Sequence, residues 1–288
     1  MTRSSAMATK QIPTGKPTPE NLPRITVVVP SFNQGQFLER TLESVLDQEY
    51  PNLELIVMDG GSTDQSVDII KKYQDRIAFW VSEKDNGQTD ALARGFAQCS
   101  GEIQCWLNSD DLHEPGVLFK VATYFDKHPE TDAVFGSTVW IDADDRPLRV
   151  HHEIPFNRFI WLHTYNYIPG MSMFWRRRIY EQAGGLDPSF NLAMDADLWS
   201  RMSRLGRIGH VRDVWSRMRF YPDQKNRALR DASDREDQRI RAREWGTDTP
   251  RFAPLKRLLA HGIRIIWKFL TGCYPIGYQR YLEKTETR

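Results

Sequence analysis

The sequence predicts an α/β fold: a mostly parallel central sheet flanked by helices, with a helical extension at the C-terminus. Three observations carry that expectation. From Arg24 onward, short apolar runs alternate with amphipathic segments, the pattern of βαβ units. The apolar runs stop at clusters of Asn, Asp, Gly and Ser, the residues of turns and loops. The chain has 288 residues, 40% of them hydrophobic, enough for one large core with a small appendage.

Residues 25–30 (ITVVVP) read as a strand buried on both faces. Phe37, Leu38, Leu42, Val45 and Leu46 recur at helical spacing and predict a helix over 36–48. Strands follow at 53–58, 77–81 and 103–107, with helices at 65–73 and 89–97 between them. Right-handed crossovers line up the C-terminal ends of such strands, and open α/β sheets bind ligands outside that edge. Asn33 and the loops 59–64, 85–90 and 108–111 all fall there. Beyond Pro115 come a helix over 116–127, β-rich stretches at 133–141 and 148–154, a strand at 171–175 and a helix at 196–205. Residues 223–244 suit a helix but have almost no apolar face, so a solvated helix or linker is expected. In 255–270, Leu255, Leu258, Leu259, Ile263, Ile266 and Leu270 form a stripe opposite Arg257, His261, Arg264 and Lys268.

Asn108-Ser109-Asp110-Asp111 closes an apolar strand, so both carboxylates emerge at the ligand edge. Hard cations take such oxygen ligands, and Mg²⁺ is usually held by one or two carboxylates plus substrate phosphates. The bland alternative is a turn in which one Asp caps the next helix. Asp59-Gly60-Gly61-Ser62-Thr63-Asp64 is open to the same alternative, although two glycines also allow a ligand to approach the backbone closely. Asp195 and Asp197 stand at a helix start. Asp197 is read as pairing with Arg201 at i, i+4, and Asp195 as a general base for an acceptor hydroxyl. Neither GxGxxG nor a Walker lysine motif occurs, and the seven histidines lack zinc-ligand spacing.

Pro30-Ser31-Phe32-Asn33, Asp59-Gly60-Gly61-Ser62-Thr63-Asp64, Asp85-Asn86-Gly87-Gln88, Leu107-Asn108-Ser109-Asp110-Asp111 and Gly184-Gly185-Leu186-Asp187 with Met194-Asp195 occur in that order. Together they resemble the ordered signature of family 2 glycosyltransferases, over residues 25–226. The resemblance implies a GT-A (nucleotide-diphospho-sugar transferase) fold, inversion at the anomeric carbon and a Mg²⁺ or Mn²⁺ ion. It implies a nucleotide-sugar site at Pro30, Ser31, Asn33, Asp59, Asp85, Gln88, Asn108 and Asp110. Asp111, with Asp110, would bind the metal, and Asp195 would be the base. Two motifs depart from the family's usual form: Gly60 stands where many members carry a second Asp, and Met194 where many carry Glu. The Gln-x-x-Arg-Trp signature of processive synthases is absent, which implies one sugar per encounter.

The expected organisation is a disordered leader at 1–23, a catalytic domain at 24–222 and a basic helical tail at 223–288. Within the catalytic domain, residues 24–115 would bind the nucleotide-sugar and 116–222 the acceptor. Gly170-Met171-Ser172-Met173-Phe174-Trp175, with Arg176, Arg177 and Arg178, is read as acceptor lining. Residues 220–225 are read as a loop over the diphosphate, with Arg219 or Lys225 as its cation. A sugar-nucleotide synthesising enzyme would need a Gly-rich, basic loop after the first strand, which Pro30-Ser31-Phe32-Asn33 is not. A degenerate scaffold would not be expected to keep Asp110, Asp111 and Asp195.

Three cysteines without CxxC spacing fit a reducing compartment. No apolar run approaches the ~18 residues of a membrane span, so a cytoplasmic location is expected. Charge is split along the chain. Residues 1–200 hold 18 Lys/Arg and 28 Asp/Glu, a net −10, whereas 201–288 hold 21 and 10, a net +11. The basic, amphipathic tail suits either packing on the body or peripheral attachment to an anionic inner leaflet. The expected partners are a nucleotide-sugar donor and a saccharide or lipid-linked saccharide acceptor, with no nucleic acid.

Overall fold

The computed structural model describes residues 22–221, 224, 229–248 and 250–273. Strands β1 (Ile25–Ser31), β2 (Leu53–Asp59), β3 (Phe79–Ser82) and β4 (Ile103–Trp106) alternate with helices α1 (Gly35–Leu46), α2 (Ser66–Tyr73) and α3 (Gln88–Gln98). β1 lies parallel to β2 and β4, and β2 to β3. Every residue of β1 is buried, as suits a mostly apolar strand in a parallel arrangement. Helix α1 turns Phe37, Leu38, Leu42, Val45 and Leu46 inward.

The second half adds β5 (Leu112–His113), α4 (Val117–Lys127), β6 (Ala133–Ile141), β7 (Pro147–His151), α5 (Arg158–His163), β8 (Met173–Arg176), α6 (Arg177–Gln182), α7 (Met194–Leu205) and β9 (Ile208–Arg219). All nine strands of the described residues form one sheet in the order β3-β2-β1-β4-β8-β6-β9-β5, with β7 paired to β6. Here the pairing is mixed. β8 runs antiparallel to β4 and β6, β5 to β9 and β7 to β6, while β6 and β9 are parallel. The all-parallel arrangement is thus confined to the first four strands.

β9 is the long strand that the sequence conceals. Arg212, Asp213, Arg217 and Arg219 break its apolar pattern. The fold uses two of these charges inside: Arg217 Nε donates to Glu114 Oε1 at 2.7 Å, and Arg219 lies buried over the Phe37 ring at 4.4 Å. Under the β4 end, Trp106 stacks on Trp199 at 5.2 Å and meets Trp175 edge-on at 5.3 Å. Such pairs add about 0.5–1.5 kcal/mol each beyond area burial, and they form a stiff floor beneath the ligand edge.

Helices α8 (Arg230–Trp245) and α9 (Ala253–Leu270) follow. α8 is docked rather than solvated. Ile240 and Arg241 are buried, Arg241 Nη1 donates to the Trp161 carbonyl at 2.8 Å, and Arg243 Nη1 reaches the buried Asp197 at 2.6 Å. α9 contacts the body through its basic side and leaves its apolar stripe exposed. Packing of that stripe on the body, one of the two expected arrangements, does not occur. No described helix is long and apolar enough to cross a membrane.

Candidate functional site

The strand-end edge opens into a cleft of about 1100 Å³, above the roughly 300–1,000 Å³ of a typical small-molecule pocket. One wall comes from the loops after β1 to β4, with Pro30, Ser31, Asp85, Gln88, Asn108 and Asp110 on it. The facing wall comes from β6, β7, the α5–β8 connection and the start of α7, with Trp140, His151, Tyr165, Asn166, Gly170 and Asp195. Tyr221 and Gln224, just past β9, also line it.

Asn33 and Asp59 are absent from the lining; they tie the wall together from behind. Asp59 accepts hydrogen bonds from the Gly61 and Ser62 N–H groups at 3.2 and 2.9 Å and from the Ser82 and Ser62 hydroxyls at 2.6 and 2.5 Å. Asn33 adopts φ 51°, a left-handed conformation that Asn tolerates. Its N–H donates to Ser62 Oγ at 2.8 Å, and its Oδ1 accepts from the Thr63 N–H at 2.8 Å. The β1–α1 and β2–α2 loops are thereby held as one unit.

Two buried polar atoms on the cleft, Ser31 Oγ and Gln34 Oε1, have no hydrogen-bond partner among the described residues. Buried polar atoms normally have one, so these two are open to a ligand's polar groups or to ordered water. Gly60 is fixed by a neighbour: a Cβ there would lie 2.7 Å from Asp85 Oδ2. The space of the missing second carboxylate is thus filled by Asp85.

At the β4 end, a chain of amides and carboxylates turns Asp110 and Asp111 apart. Gln88 Nε2 donates to Asn108 Oδ1 at 2.8 Å, and Asn108 Nδ2 donates to Asp111 Oδ2 at 2.9 Å. The Arg219 N–H takes Asp111 Oδ1 at 2.9 Å. Asp111 is wholly buried and does not line the cleft. Asp111, expected as a metal ligand with Asp110, here gives its carboxylate to β9 and Asn108. Asp110 faces the cleft, with Oδ2 accepting from the Tyr221 hydroxyl at 2.9 Å. Burial raises both carboxyl pKa values, Tyr221 opposing the rise at Asp110 and the neighbouring Asp110 adding to it at Asp111.

No group of three or more His, Cys, Asp or Glu among the described residues could enclose a metal ion. The donor set therefore fits a hard cation only when a ligand's phosphates complete the shell around Asp110. Arg219 is not available as a cation over a diphosphate. It is 1% exposed, with Nε on the Asp110 carbonyl at 2.9 Å and Nη1 on the Asp142 and Ala143 carbonyls at 3.0 Å each. Lys225, the other expected cation, lies outside the described residues. Lys84 brings a positive charge to the strand-end wall of the cleft.

Asp195 sits in the first turn of α7, half-buried on the facing wall. Oδ1 accepts from the Ala196 N–H at 2.7 Å and Oδ2 from Asn166 Nδ2 at 2.8 Å. Burial pushes its pKa up to about 6; those two hydrogen bonds oppose the rise and the charge of Asp237 adds to it. Neither Asp195 nor Asp197 is the N-cap. Glu236 of α8 braces the turn that leads into the helix, accepting from the Leu192 and Ala193 N–H groups at 2.8 Å each. Asp197 is buried between Arg201 and Arg243.

The arginines expected at the acceptor lie elsewhere. Arg176 Nη1 reaches Glu102 at 3.0 Å, and Arg178 Nη2 reaches Asp132 at 2.8 Å. Arg177 pairs with Glu181 at 2.6 Å. Gly170 and Met171 do line the cleft, whereas Ser172 to Trp175 are core. Sequence reasoning missed Gln34, Lys84, Trp140, His151, Tyr165 and Asn166. Only Lys84, beside Asp85 in a strand-end loop, carried a local signal.

The family model for Glycosyl transferase family 2 matches residues 26–184, more than half of the chain. The chain belongs to glycosyltransferase family 2. An uncharacterized glycosyltransferase of Haemophilus influenzae is 27% identical over 221 residues, 71% of this chain and 68% of that protein. One of Mycobacterium tuberculosis is 32% identical over 179 residues, 61% of this chain and 67% of that protein. Among solved structures, Staphylococcus aureus TarS 1-349 in complex with UDP-GlcNAc matches with TM-score 0.63 at 18% identity, covering 77% of this chain and 66% of that one. The mannosyltransferase PcManGT of Pyrobaculum calidifontis, in complex with GDP-Man and Mn²⁺, matches with TM-score 0.59 at 21% identity, covering 86% and 72%. The transferase thus has the GT-A fold and spans about two thirds of the length of these relatives.

Proposed function

We propose that this transferase moves one sugar, with inversion, from a nucleotide-diphosphate-sugar to a hydroxyl of a saccharide or lipid-linked saccharide, in polysaccharide or glycolipid assembly. The carrying observation is the two-walled cleft, with Asp110 on one side and Asp195, titrating near 6, on the other. Pro30, Ser31, Asp85, Gln88 and Asn108 receive the nucleotide and ribose, while Asn33 and Asp59 hold the loops that shape their wall.

Asp110 would hold Mg²⁺ or Mn²⁺ together with the donor's phosphates, and the ion would stabilise charge on the departing diphosphate. Asp195 takes the acceptor hydroxyl proton as that oxygen bonds to the anomeric carbon. The bond from that carbon to the diphosphate oxygen breaks, and the nucleoside diphosphate leaves. An Asp that titrates near 6 is a better proton acceptor than an ordinary one and is still ionised at neutral pH. Asn166 aims its carboxylate.

The enzyme would work at the cytoplasmic side of a membrane, where lipid-linked acceptors are presented. A panel of UDP-, GDP- and dTDP-sugars with Mn²⁺ and candidate glycan acceptors tests the reaction. Acceptor-dependent release of one nucleoside diphosphate and an inverted linkage are expected. Release of none, or a retained anomeric configuration, would overturn the reading.

A further inference from the structure

We propose that the outward face of α9 is a docking surface for an anionic lipid bilayer, which sets the acceptor wall of the cleft against the membrane. Its bearing on the acceptor rests on the proposed transfer reaction; the surface itself does not.

A helix on a globular body normally turns its apolar stripe to the core. α9 does the reverse. Its buried residues are Ala260 and Arg264. Arg264 Nη2 and Lys268 Nζ both converge on Glu153 Oε1, at 2.6 and 2.7 Å, and His151 Nε2 stands 2.9 Å from the same atom. Outward stand eight large apolar side chains, from Ile263 at 38% exposed to Leu270 at 77%. At about 100° per residue they span an arc of about 160°, with only Gly262 among them. Contiguous exposed apolar surface of this kind marks an interaction site.

The flanking charge selects the occupant. Residues 253–270 contain no Asp or Glu, Lys256 adjoins the stripe on the helix surface, and Arg251 is exposed just before the helix. Residues 251–288 hold eight Lys/Arg and two Asp/Glu. A second copy pairing through this face would bring like charges together, which is unfavourable. An anionic lipid surface attracts them and accepts the apolar side chains. Position gives the face a purpose. The Arg264 guanidinium stacks over Tyr165 at 4.5 Å and Tyr167 at 5.6 Å, and both tyrosines line the cleft opposite Asp110. A helix seated on the bilayer there holds the acceptor wall at the height of lipid headgroups.

Co-sedimentation of the full chain with vesicles is the test, using phosphatidylcholine alone or mixed with phosphatidylglycerol, at low and high salt. The chain should pellet with the anionic vesicles, less so at high salt. The double variant Leu258→Asp/Ile266→Asp, both exposed positions, should lose at least about a hundredfold in partitioning. It should keep the thermal shift that UDP or GDP with Mn²⁺ gives the parent chain. Failure of the full chain to pellet, or equal pelleting of the variant, would overturn the proposal. So would a dimer of the full chain that the variant dissolves, which assigns the face to a second copy. Absence of any nucleotide shift in the parent chain would count against the transferase reading alone.

Discussion

Replacing Asp195 by Asn separates what that carboxylate does for the reaction from what it costs the fold. Asp195 titrates near 6 in the folded chain, against about 3.9 for an unperturbed Asp. Below about pH 4 the group is protonated in both states, and the fold has its full stability. As pH rises towards 6, the unfolded chain releases the proton first, so stability falls, levelling off above 6. The loss is about 3 kcal/mol. The Asn variant has no such titration, so its stability relative to the parent should rise by about 3 kcal/mol between pH 4 and pH 7.5. A constant offset accompanies this, because an Asn amide would face Asn166 Nδ2, which now donates to Asp195 Oδ2 at 2.8 Å. The diagnostic quantity is therefore the change of the gap with pH and not its sign. Urea unfolding of both proteins at the two pH values measures it. A gap that stays constant would refute the argument that burial holds this carboxyl protonated. Transfer by the variant should fall roughly 10²–10⁴-fold, and parent activity should decline as pH drops below about 6.

Three further outcomes follow from the same geometry. Asp111→Ala leaves Asn108 Nδ2 and the Arg219 N–H without their acceptor, so stability should drop by about 1–3 kcal/mol per orphaned donor, read by urea unfolding at pH 7.5. Glu236→Ala leaves the Leu192 and Ala193 N–H groups ahead of α7 without their acceptor and should cost about 1–3 kcal/mol, and it should lower kcat because Asp195 stands in the turn that follows. Gly60→Ala puts a Cβ 2.7 Å from Asp85 Oδ2, so calorimetric nucleotide affinity should fall while transfer at saturating donor changes less.

Much of the first half was legible in the sequence. Its strands are short, mostly apolar runs and its helices carry one clean stripe, so the boundaries shift by only a residue or two. The strand-end loops could be assigned to one edge because parallel crossovers leave little choice. Which of Asp110 and Asp111 faces the cleft was not legible. Adjacent carboxylates look alike in sequence, and what turns Asp111 inward is the Arg219 N–H, 108 positions away. β9 stayed hidden for the same reason, since its charges read as surface until Glu114 and Phe37 are seen against them. In α9 the stripe was plain but its direction was not. Glu153 pulls the basic side inward from 111 positions away in the chain.

The most direct measurement is calorimetric titration of UDP, GDP and dTDP into the full chain with Mn²⁺ or EDTA, repeated with Asp110→Asn and Asp111→Asn. One nucleotide should bind with Mn²⁺, weakly or not at all with EDTA, and the Mn²⁺ dependence should vanish in Asp110→Asn alone. Unchanged Mn²⁺-dependent binding by Asp110→Asn, or no binding of any nucleotide to the parent chain, would contradict a cleft in which Asp110 and the donor's phosphates share the metal.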